Sequence, residues 1–406
     1  MQGVVESFGW TAKLDVQFLG RFDVLVLAKG AVKLNRKVMI AVNTAWNLVN
    51  FRSGLIQELV SQGYEVITVA PDDEYSFRLS ALGCRFIPMH MDSKGTHAGK
   101  DLLLIFRLLG LLCKERPDVF LAYTAKLNIY GSIAAHLLGI PVINNIAGLG
   151  TVFARKGFLC TLVRQLYRLA LAPSSKVFFQ NQDDFDLFVK GGLVVKSFSE
   201  RLPGSGIDLK KFLPNPIPRR VSVRFLLIAR MLWDKGVGDF VEASRLLKER
   251  GLDAEFCLLG FLDVQNPGAI TQSQMNEWVE EGVVSYLGIS GDVRKEISQA
   301  DCVVLPSFYR EGTPRALLEA AAMARPIVTT DWVGCRDVVD DGINGFLCKP
   351  KDAKDLAKKI LMIIELSCDE REEMGKKGRT KVVREFDERI VISKYLSTIA
   401  TILKTS

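Results

Sequence analysis

The chain has 406 residues, of which 48% are apolar and 24% are charged. This composition excludes a disordered or fibrous protein, and the length exceeds what one hydrophobic core ordinarily supports, so we expect two domains. The net charge of +7 comes from residues 1–203, which hold 23 Lys and Arg against 16 Asp and Glu, whereas residues 204–406 hold 30 of each.

Six short apolar runs in the first half predict β-strands. They are VMIAVNT, YEVITVAP, CRFIPMH, VFLAYT, PVINNI and KVFFQN, with helical patterns such as SGLIQELVSQG and LNIYGSIAAHLLG between them. This alternation is typical of a parallel sheet with helices on both faces. Residues 1–36 precede the first clear strand, and three interpretations stay open: a structured extension, a flexible tail, or a start codon placed too early.

The second half repeats the pattern with RFLLIAR, EFCLLG, VSYLG, CVVLPS, PIVTTD and GFLCKP. Between the halves, the Pro- and Gly-rich segment 201–220 predicts a linker. Residues 386–404 have a helical pattern. We therefore predict an α/β fold in which two Rossmann-like domains, residues 37–203 and 204–385, face each other with parallel sheets across a cleft.

The segment PSFYREGTPRALLEAAAMARPIVTTD is the most informative stretch of the chain. It places Glu311 in a turn and Glu319 eight residues later, with Thr313 as the expected N-cap and Pro314 as the first residue of a helix. The free N–H groups of a helix N-terminus attract phosphate. Two carboxylates on either side of such a site suit a ligand that joins a sugar, a diphosphate and a nucleoside.

This segment resembles the Glu–seven residues–Glu signature of the family 4 retaining glycosyltransferases, which have the GT-B fold. Two further blocks carry the resemblance: FLLIARMLWDKGV, in which Arg230 ends an apolar run and Lys235 follows five residues on, and residues 331–360. It covers the chain from about residue 37 onward. It implies an acceptor-binding first domain, a nucleotide-sugar-binding second domain, and a C-terminal helix, residues 386–406, that crosses back to the first domain.

In such a family member, Arg230 and Lys235 would neutralise the donor diphosphate, and the helix dipole would add to this stabilisation without a metal. Glu311 would bind donor-sugar hydroxyls or support positive charge near the anomeric carbon. Glu319 would bind the ribose. Simpler interpretations stay open: a helix cap for the two cations, a turn carboxylate for Glu311, and a helix-surface partner of Arg315 for Glu319.

Other expected donor-site residues lie at the carboxyl ends of predicted strands, where open α/β sheets bind ligands. Gly288 and Ile289 would bind uracil through backbone atoms, with Asp292 a weaker candidate, and Gly334 and Cys335 would lie near the cleft. The full donor set is Gly260, Phe261, Gly288, Ile289, Gly312, Thr313, Pro314, Arg315, Ala316 and Glu319.

The first strand is followed by a loop, NTAWNLVNFRSG, in place of the Gly-Gly of many family members. This loop, AYTAKLNIYGSIAA and NNIAGLGTVF resemble the bacterial transferases that act on undecaprenyl-diphosphate sugars. The expected acceptor-side residues are Thr44, Trp46, Phe51, Arg52, Lys126 and Asn128. Many relatives carry a His where Thr124 and Ala125 stand, so a phosphate-assisted reaction is favoured over a histidine base. Gly148–Gly150 could form a phosphate loop or a simple turn.

No apolar run reaches the roughly 18 residues that span a bilayer, and the N-terminus lacks a signal-peptide pattern. Residues 154–176 have the pattern of a basic amphipathic helix, which would bind anionic lipid on the inner membrane face or, equally well, simply pack on the sheet. The basic first half favours an acidic partner, although scattered solvated lysines would also explain it. We expect a cytoplasmic, peripheral protein that binds no nucleic acid.

The eight cysteines and three histidines show no metal-binding or redox spacing, which predicts reduced core cysteines and no metal cofactor. We therefore expect a retaining glycosyltransferase that moves an N-acetylhexosamine or hexose from a UDP-sugar to a polyprenyl-diphosphate-linked sugar. The product would be an α-linked bacterial glycan. The alternatives are a non-catalytic sugar-nucleotide-binding protein and a GT-B transferase with a soluble acceptor.

Overall fold

The computed structural model describes residues 36–91, 97–150, 153, 157–262, 264 and 266–405. Residues 36–406 form one compact unit. The alternatives for residues 1–35 and the expectations on residues 151–152 and 154–156 lie outside the described residues.

The first half contains a sheet of seven parallel strands in the order β3-β2-β1-β4-β5-β6-β7. All six predicted strands of this half are confirmed, and a short, largely polar strand, β7, was missed. The strands are β1 (Lys37–Ala41), β2 (Glu65–Ala70), β3 (Arg85–Pro88), β4 (Val119–Tyr123), β5 (Val142–Ile146), β6 (Lys176–Phe179) and β7 (Ser199–Arg201).

The helices of the first half are α1 (Ala45–Phe51), α2 (Ser53–Ser61), α3 (Ala98–Glu115), α4 (Ser132–Leu137), α5 (Phe158–Leu171) and α6 (Gln182–Lys190). The prediction of a loop after the first strand was wrong over α1. Thr44 caps this helix, since its hydroxyl accepts the Asn47 N–H at 3.2 Å. A π-helical turn, Leu127–Gly131, leads directly into α4.

The second half contains a sheet of six parallel strands in the order β10-β9-β8-β11-β12-β13. The strands are β8 (Val223–Ile228), β9 (Ala254–Leu259), β10 (Ser285–Tyr286), β11 (Cys302–Leu305), β12 (Ile327–Thr330) and β13 (Gly345–Cys348). The helices are α7 (Val237–Lys248), α8 (Gln272–Glu280), α9 (Val293–Ser298), α10 (Arg315–Ala322), α11 (Ala353–Glu365), α12 (Cys368–Glu385) and α13 (Glu388–Thr405). The six predicted strands are confirmed.

Both sheets are buried on both faces, which explains why their strands are nearly continuous apolar runs. In β8, Phe225 and Leu227 pack into one core, whereas Leu226 packs into a second core on the opposite face. Helix α13 packs on the core of the first sheet, where the Tyr395 hydroxyl accepts a hydrogen bond from the Asn145 amide at 2.8 Å.

The strand order of each sheet reverses once, between β1 and β4 and between β8 and β11. At such a point the two flanking loops diverge and leave a crevice at the carboxyl ends of the strands. The α/β prediction of two Rossmann-like sheets is confirmed. Among the helices in the described ranges, none is long and apolar enough to cross a bilayer.

Candidate active site

We call the crevice between β1 and β4 the first crevice and that between β8 and β11 the second crevice. Three charged residues that follow β8 and β11 meet at the second crevice. Arg230 follows β8 and is exposed, with no hydrogen bond or ion pair to any other described residue. Lys235 lies on a 3₁₀ turn, Trp233–Lys235, and its ammonium group pairs with the carboxylate of Glu311, which follows β11. The structure thus brings together residues 76 positions apart, as the strand order requires.

The Lys235–Glu311 pair is largely enclosed, with the two side chains 12% and 13% exposed. The Ser307 hydroxyl donates a hydrogen bond of 3.2 Å to the same carboxylate oxygen of Glu311. The Lys235 ammonium also lies 5.1 Å from the centroid of the Tyr309 ring. Burial raises the pKa of the Tyr309 phenol, and the positive charge of Arg230 opposes this rise. Arg230 is therefore close enough to act on the same small volume.

Helix α10 begins one residue later than predicted. Pro314 is its N-cap, and the Thr313 hydroxyl instead donates to the Gln180 carbonyl at 3.0 Å, so the prediction of a Thr313 cap was wrong. The Pro314 carbonyl accepts the Leu317 N–H at 3.2 Å. The N–H groups of Arg315 and Ala316 have no backbone acceptor among the described residues. These two groups are the ones an anion at the helix N-terminus would bind.

Glu319 lies one turn into α10 and pairs with Arg315 at 3.2 Å. This is the helix-surface pairing that the sequence left open, but the pair is not solvated: the side chains are 14% and 12% exposed. Burial raises the pKa of Glu319, and Arg315 opposes the rise. Arg315 also donates to the Gly206 carbonyl at 3.0 Å and lies 5.2 Å from the Phe51 ring of the first half. The ribose role of Glu319 stays a prediction.

The loops after β9 and β10 lie side by side. The Gly260 N–H donates to the Gly288 carbonyl at 2.8 Å, and the Phe261 carbonyl accepts the Met231 N–H at 2.8 Å. A side chain at Gly260, where φ is +140°, would collide with the Ala229 carbonyl. Phe261 and Ile289 are 38% and 60% exposed, so both side chains can contact a ligand. Asp292 caps α9 and pairs with Arg294 at 2.6 Å.

Sequence reasoning missed the polar contacts that hold the Glu311 loop against the first half. The Asn181 amide donates to the Glu311 carbonyl at 2.8 Å. Arg310 pairs at 2.6 Å with Asp184, whose side chain is fully buried. Asn181 and Asp184 belong to the start of α6, and Arg310 and Glu311 belong to the loop. No local pattern marks a carboxylate in a helix N-terminus as the partner of an Arg 126 residues away.

Two glycines allow other segments of the chain to approach the Glu311 loop closely, one from each side. A Cβ at Gly148, where φ is +104°, would lie 2.6 Å from the Gly312 nitrogen, and one at Gly334 would collide with the Gly312 carbonyl. Gly148–Gly150 thus lies against the Glu311 loop, and the Gly150 N–H donates to the Arg310 carbonyl at 3.2 Å, while the choice between a phosphate loop and a simple turn stays open. The expected position of Gly334 next to the site agrees with this geometry.

The first crevice carries a pair of aromatic side chains. Trp46 and Phe51 of α1 pack edge to face with centroids 4.9 Å apart. Arg52 is 5% exposed and lies 4.2 Å above the Tyr123 ring, with its Nε unpaired among the described residues. Lys126 pairs with Asp101 at 2.7 Å.

Asn128 does not reach the crevice surface. It is 1% exposed, donates to the Asn145 carbonyl at 2.9 Å and accepts from the Asn144 amide at 3.0 Å. Because its amide is used to hold the π-helical turn on β5, the prediction of Asn128 as an acceptor-side residue was wrong. Its partner Asn144 also donates to the buried Ser132 hydroxyl at 2.8 Å, so Asn128 belongs to an enclosed polar cluster.

Cys335 is also enclosed. Burial, together with the charge of Glu311, raises the pKa of the Cys335 thiol to about 12, so this cysteine is an inert neighbour of the site. Over the residues that the structure describes, no group of three or more His, Cys, Asp or Glu side chains is arranged to hold a metal ion.

Comparisons with known proteins cover both halves. The family described as "Glycosyl transferase 4-like" matches residues 37–181, and "Glycosyl transferases group 1" matches residues 222–365. The N,N'-diacetylbacillosaminyl-diphospho-undecaprenol alpha-1,3-N-acetylgalactosaminyltransferase of Campylobacter jejuni is 30% identical over 382 residues, which are 88% of this chain and 96% of that protein. The UDP-Gal:alpha-D-GlcNAc-diphosphoundecaprenol alpha-1,3-galactosyltransferase of Escherichia coli is 26% identical and covers 71% of this chain and 76% of its own length.

Solved structures agree in fold. Anabaena HepE, solved in complex with UDP and glucose, aligns with a TM-score of 0.72 at 15% identity, over 90% of this chain and 99% of that one. The two matched domains, the near full-length relative and the shared fold lead to one assignment. The chain belongs to the family 4 glycosyltransferases of GT-B fold and is an enzyme that transfers sugars.

Proposed function

We propose that this enzyme transfers an N-acetylhexosamine or hexose from a UDP-sugar to a polyprenyl-diphosphate-linked sugar, with retention, to build a bacterial glycan. The observation that supports this proposal is the second crevice: Lys235 pairs with Glu311, Lys235 and Arg230 both act on Tyr309, and α10 begins four residues after Glu311. The names of the Campylobacter and Escherichia relatives, which act on undecaprenol-linked diphosphates, support the acceptor class. The UDP in the HepE complex supports the donor class.

The chemistry follows from charge. Breaking the anomeric C–O bond leaves negative charge on the diphosphate, which Arg230, Lys235 and the free N–H groups of Arg315 and Ala316 would stabilise without a metal. For Lys235 to bind phosphate, its pairing with Glu311 must loosen, which would free the Glu311 carboxylate for a sugar hydroxyl or for the positive anomeric centre. With no histidine at Thr124, the leaving phosphate would accept the acceptor proton on the same face, giving an α-linkage.

The test is a panel of UDP-sugars incubated with the full chain, with and without a polyprenyl-diphosphate sugar. We expect UDP release to depend on the lipid-linked acceptor for one donor sugar. UDP-sugar binding without turnover would favour a sugar-nucleotide-binding protein. Turnover with a soluble sugar but not with the lipid would favour the soluble-acceptor transferase.

A lipid-linked acceptor requires contact with a bilayer, and we propose that α5 provides it on the inner membrane face. Its exposed side carries Leu162, Leu169 and Arg168, whereas Tyr167 and Leu171 are buried in the first half. The helix therefore packs on the core through one face and leaves a basic apolar face outward.

Flotation with liposomes that contain anionic lipid tests this surface. We expect Arg164→Glu/Arg168→Glu to weaken binding by at least about tenfold, because each basic group near an anionic surface contributes about 1 kcal/mol. The matched control is Lys377→Glu/Arg384→Glu on α12, which reverses the same number of charges elsewhere. Equal flotation of the two double variants would rule out α5 as the docking helix.

A further inference from the structure

The second half has another cavity, separate from the proposed donor site. It has a volume of about 470 Å³ and lies between α7, α8 and the turn that follows β13. Its lining includes Trp233, Trp278, Phe308, Asp239 and Lys351, and contains none of Arg230, Lys235, Glu311 or Glu319. Its size is that of a small-molecule site.

Aromatic rings form the floor of this cavity. Trp233 and Trp278 pack edge to face with centroids 5.7 Å apart, and Trp278 is buried. Trp233 lies against Gly238 of α7, at a place where any side chain would crowd the ring, yet it remains 43% exposed. An indole that is held on two sides and open on another offers a rigid apolar surface at little entropic cost.

The charges of the cavity balance. Arg245 already pairs with Glu281 and Glu242. The two remaining charged residues of the lining are Lys351 and Asp239. The Lys351 ammonium lies 4.6 Å from the Phe308 ring centroid. The Asp239 carboxylate has no hydrogen-bond or ion-pair partner among the described residues. A lining of two acids and two bases favours a neutral ligand, and the open carboxylate favours one with O–H or N–H donors.

We infer that this cavity is a second saccharide-binding site, which takes a neutral pyranose of a glycan with one ring face on Trp233 and hydroxyl groups on Asp239 and Lys351. Pyranoses present a patch of C–H groups for an aromatic face and hydroxyls at the rim, which is the combination that these residues complement. Burial raises the pKa of Asp239; the charge of Lys351 opposes this rise and that of Asp352 adds to it.

The residues of this cavity are close in sequence to the loops of the proposed donor site. Trp233 lies on the same 3₁₀ turn as Lys235, and Phe308 precedes Tyr309, whose N–H donates to the Asp234 carbonyl at 2.9 Å. A glycan that occupies this cavity would therefore be held beside the donor site but outside it. This would keep a growing acceptor or product chain on the enzyme.

Saturation-transfer NMR on the full chain tests the proposal, with methyl α-glycosides of N-acetylgalactosamine and glucose as probes and UDP present in excess. We expect transfer to the probe ring protons and about tenfold weaker binding in Trp233→Ala. Asp239→Asn and Lys351→Gly should weaken binding severalfold. Lys351→Gly keeps the fold, since φ is +59° at this residue, so it decides the question if the Trp233 variant unfolds.

The control is Phe198→Ala, which removes another exposed aromatic ring at a distance in the chain from this cavity. Equal probe binding in all variants, or binding of choline or inorganic phosphate in place of the glycosides, would overturn the proposal. UDP affinity is measured on the same samples. It reports on the donor site alone, so a failure of the proposed function is visible separately.

Discussion

The two crevices of the molecule have the same topology but different chemistry. In the second half, the strand-end loops bear an exposed Arg230 and the Lys235–Glu311 pair. In the first half, the corresponding loops bear the Trp46–Phe51 pair and a buried Arg52. The same topology thus supports one crevice dominated by charged groups and one that adds an aromatic pair to its charged groups, as expected if the former binds the donor diphosphate and the latter an acceptor with a lipid part.

The largest expected effect is a loss of kcat on substitution in the second crevice. Glu311→Gln should lower kcat by about 10²–10³-fold, since it removes the charge that we propose faces the reacting centre, while UDP affinity is kept or rises because Lys235 no longer has to leave this carboxylate. The measurement is steady-state UDP release, with Glu280→Gln on the surface of α8 as the control. A kcat within twofold of wild type would show that Glu311 is only a turn carboxylate.

A substitution in the first crevice should raise the KM for the acceptor and leave kcat unchanged. Trp46→Ala removes the aromatic partner of Phe51, and we expect the KM for the lipid-linked acceptor to rise about tenfold with UDP affinity unchanged. Initial rates at varied acceptor concentration check this. If Trp46→Ala instead weakens UDP binding, the assignment of the two crevices is reversed.

A third prediction concerns the contact between the two halves. Arg310→Ala leaves the buried Asp184 carboxylate without its cation, and we expect the free energy of unfolding to fall by about 3 kcal/mol. Arg219→Ala is the control, because its pair with Asp369 is 74% and 76% exposed and should contribute below about 1 kcal/mol. Urea denaturation measures both, and equal losses would contradict the structural role of the Asp184 pair.

The smallest expected effect is a pH dependence at Asp239. Because burial raises its pKa above the ordinary 3.8, the folded protein binds this proton more tightly than the unfolded chain does. The carboxyl therefore stabilises the fold below pH 3.8, and that contribution is lost as the pH rises through the folded-state pKa.

Asp239→Asn should accordingly be slightly more stable than wild type at neutral pH, by less than about 1 kcal/mol, and the difference should vanish below pH 3.8. Thermal melts across this range, with the exposed Asp253→Asn as the control, test the sign. A variant that is less stable at neutral pH would mean that Asp239 has a stabilising partner.

The sequence predicted most of the fold because both sheets are buried on both faces. Runs such as RFLLIAR have no polar alternation, which distinguishes them from surface strands. Helix α1 was missed because the segment after the first strand was compared with the Gly-Gly loop of other family members. Thr44 followed by Ala45 already indicated a helix N-cap there. The short strand β7 was missed because two of its three residues are charged or polar at the surface.

The candidate site was only partly predictable. Arg230, Lys235 and Glu311 follow strands, so the topology alone brings them together. Asn128 looked like a cleft residue because burial of an amide cannot be read from its neighbours in the chain. The contacts of Asn181 and Asp184 with the Glu311 loop depend on how two distant loops meet, and only coordinates supply that.

The most direct measurement compares the affinities of UDP and uridine by calorimetry in wild type and in Arg230→Ala/Lys235→Met, with Lys354→Met as the control. If these cations hold the diphosphate, wild type should prefer UDP strongly, and the double variant should lose about 10²-fold or more of that preference while uridine affinity stays the same. An undiminished UDP-to-uridine ratio in the double variant would contradict the account.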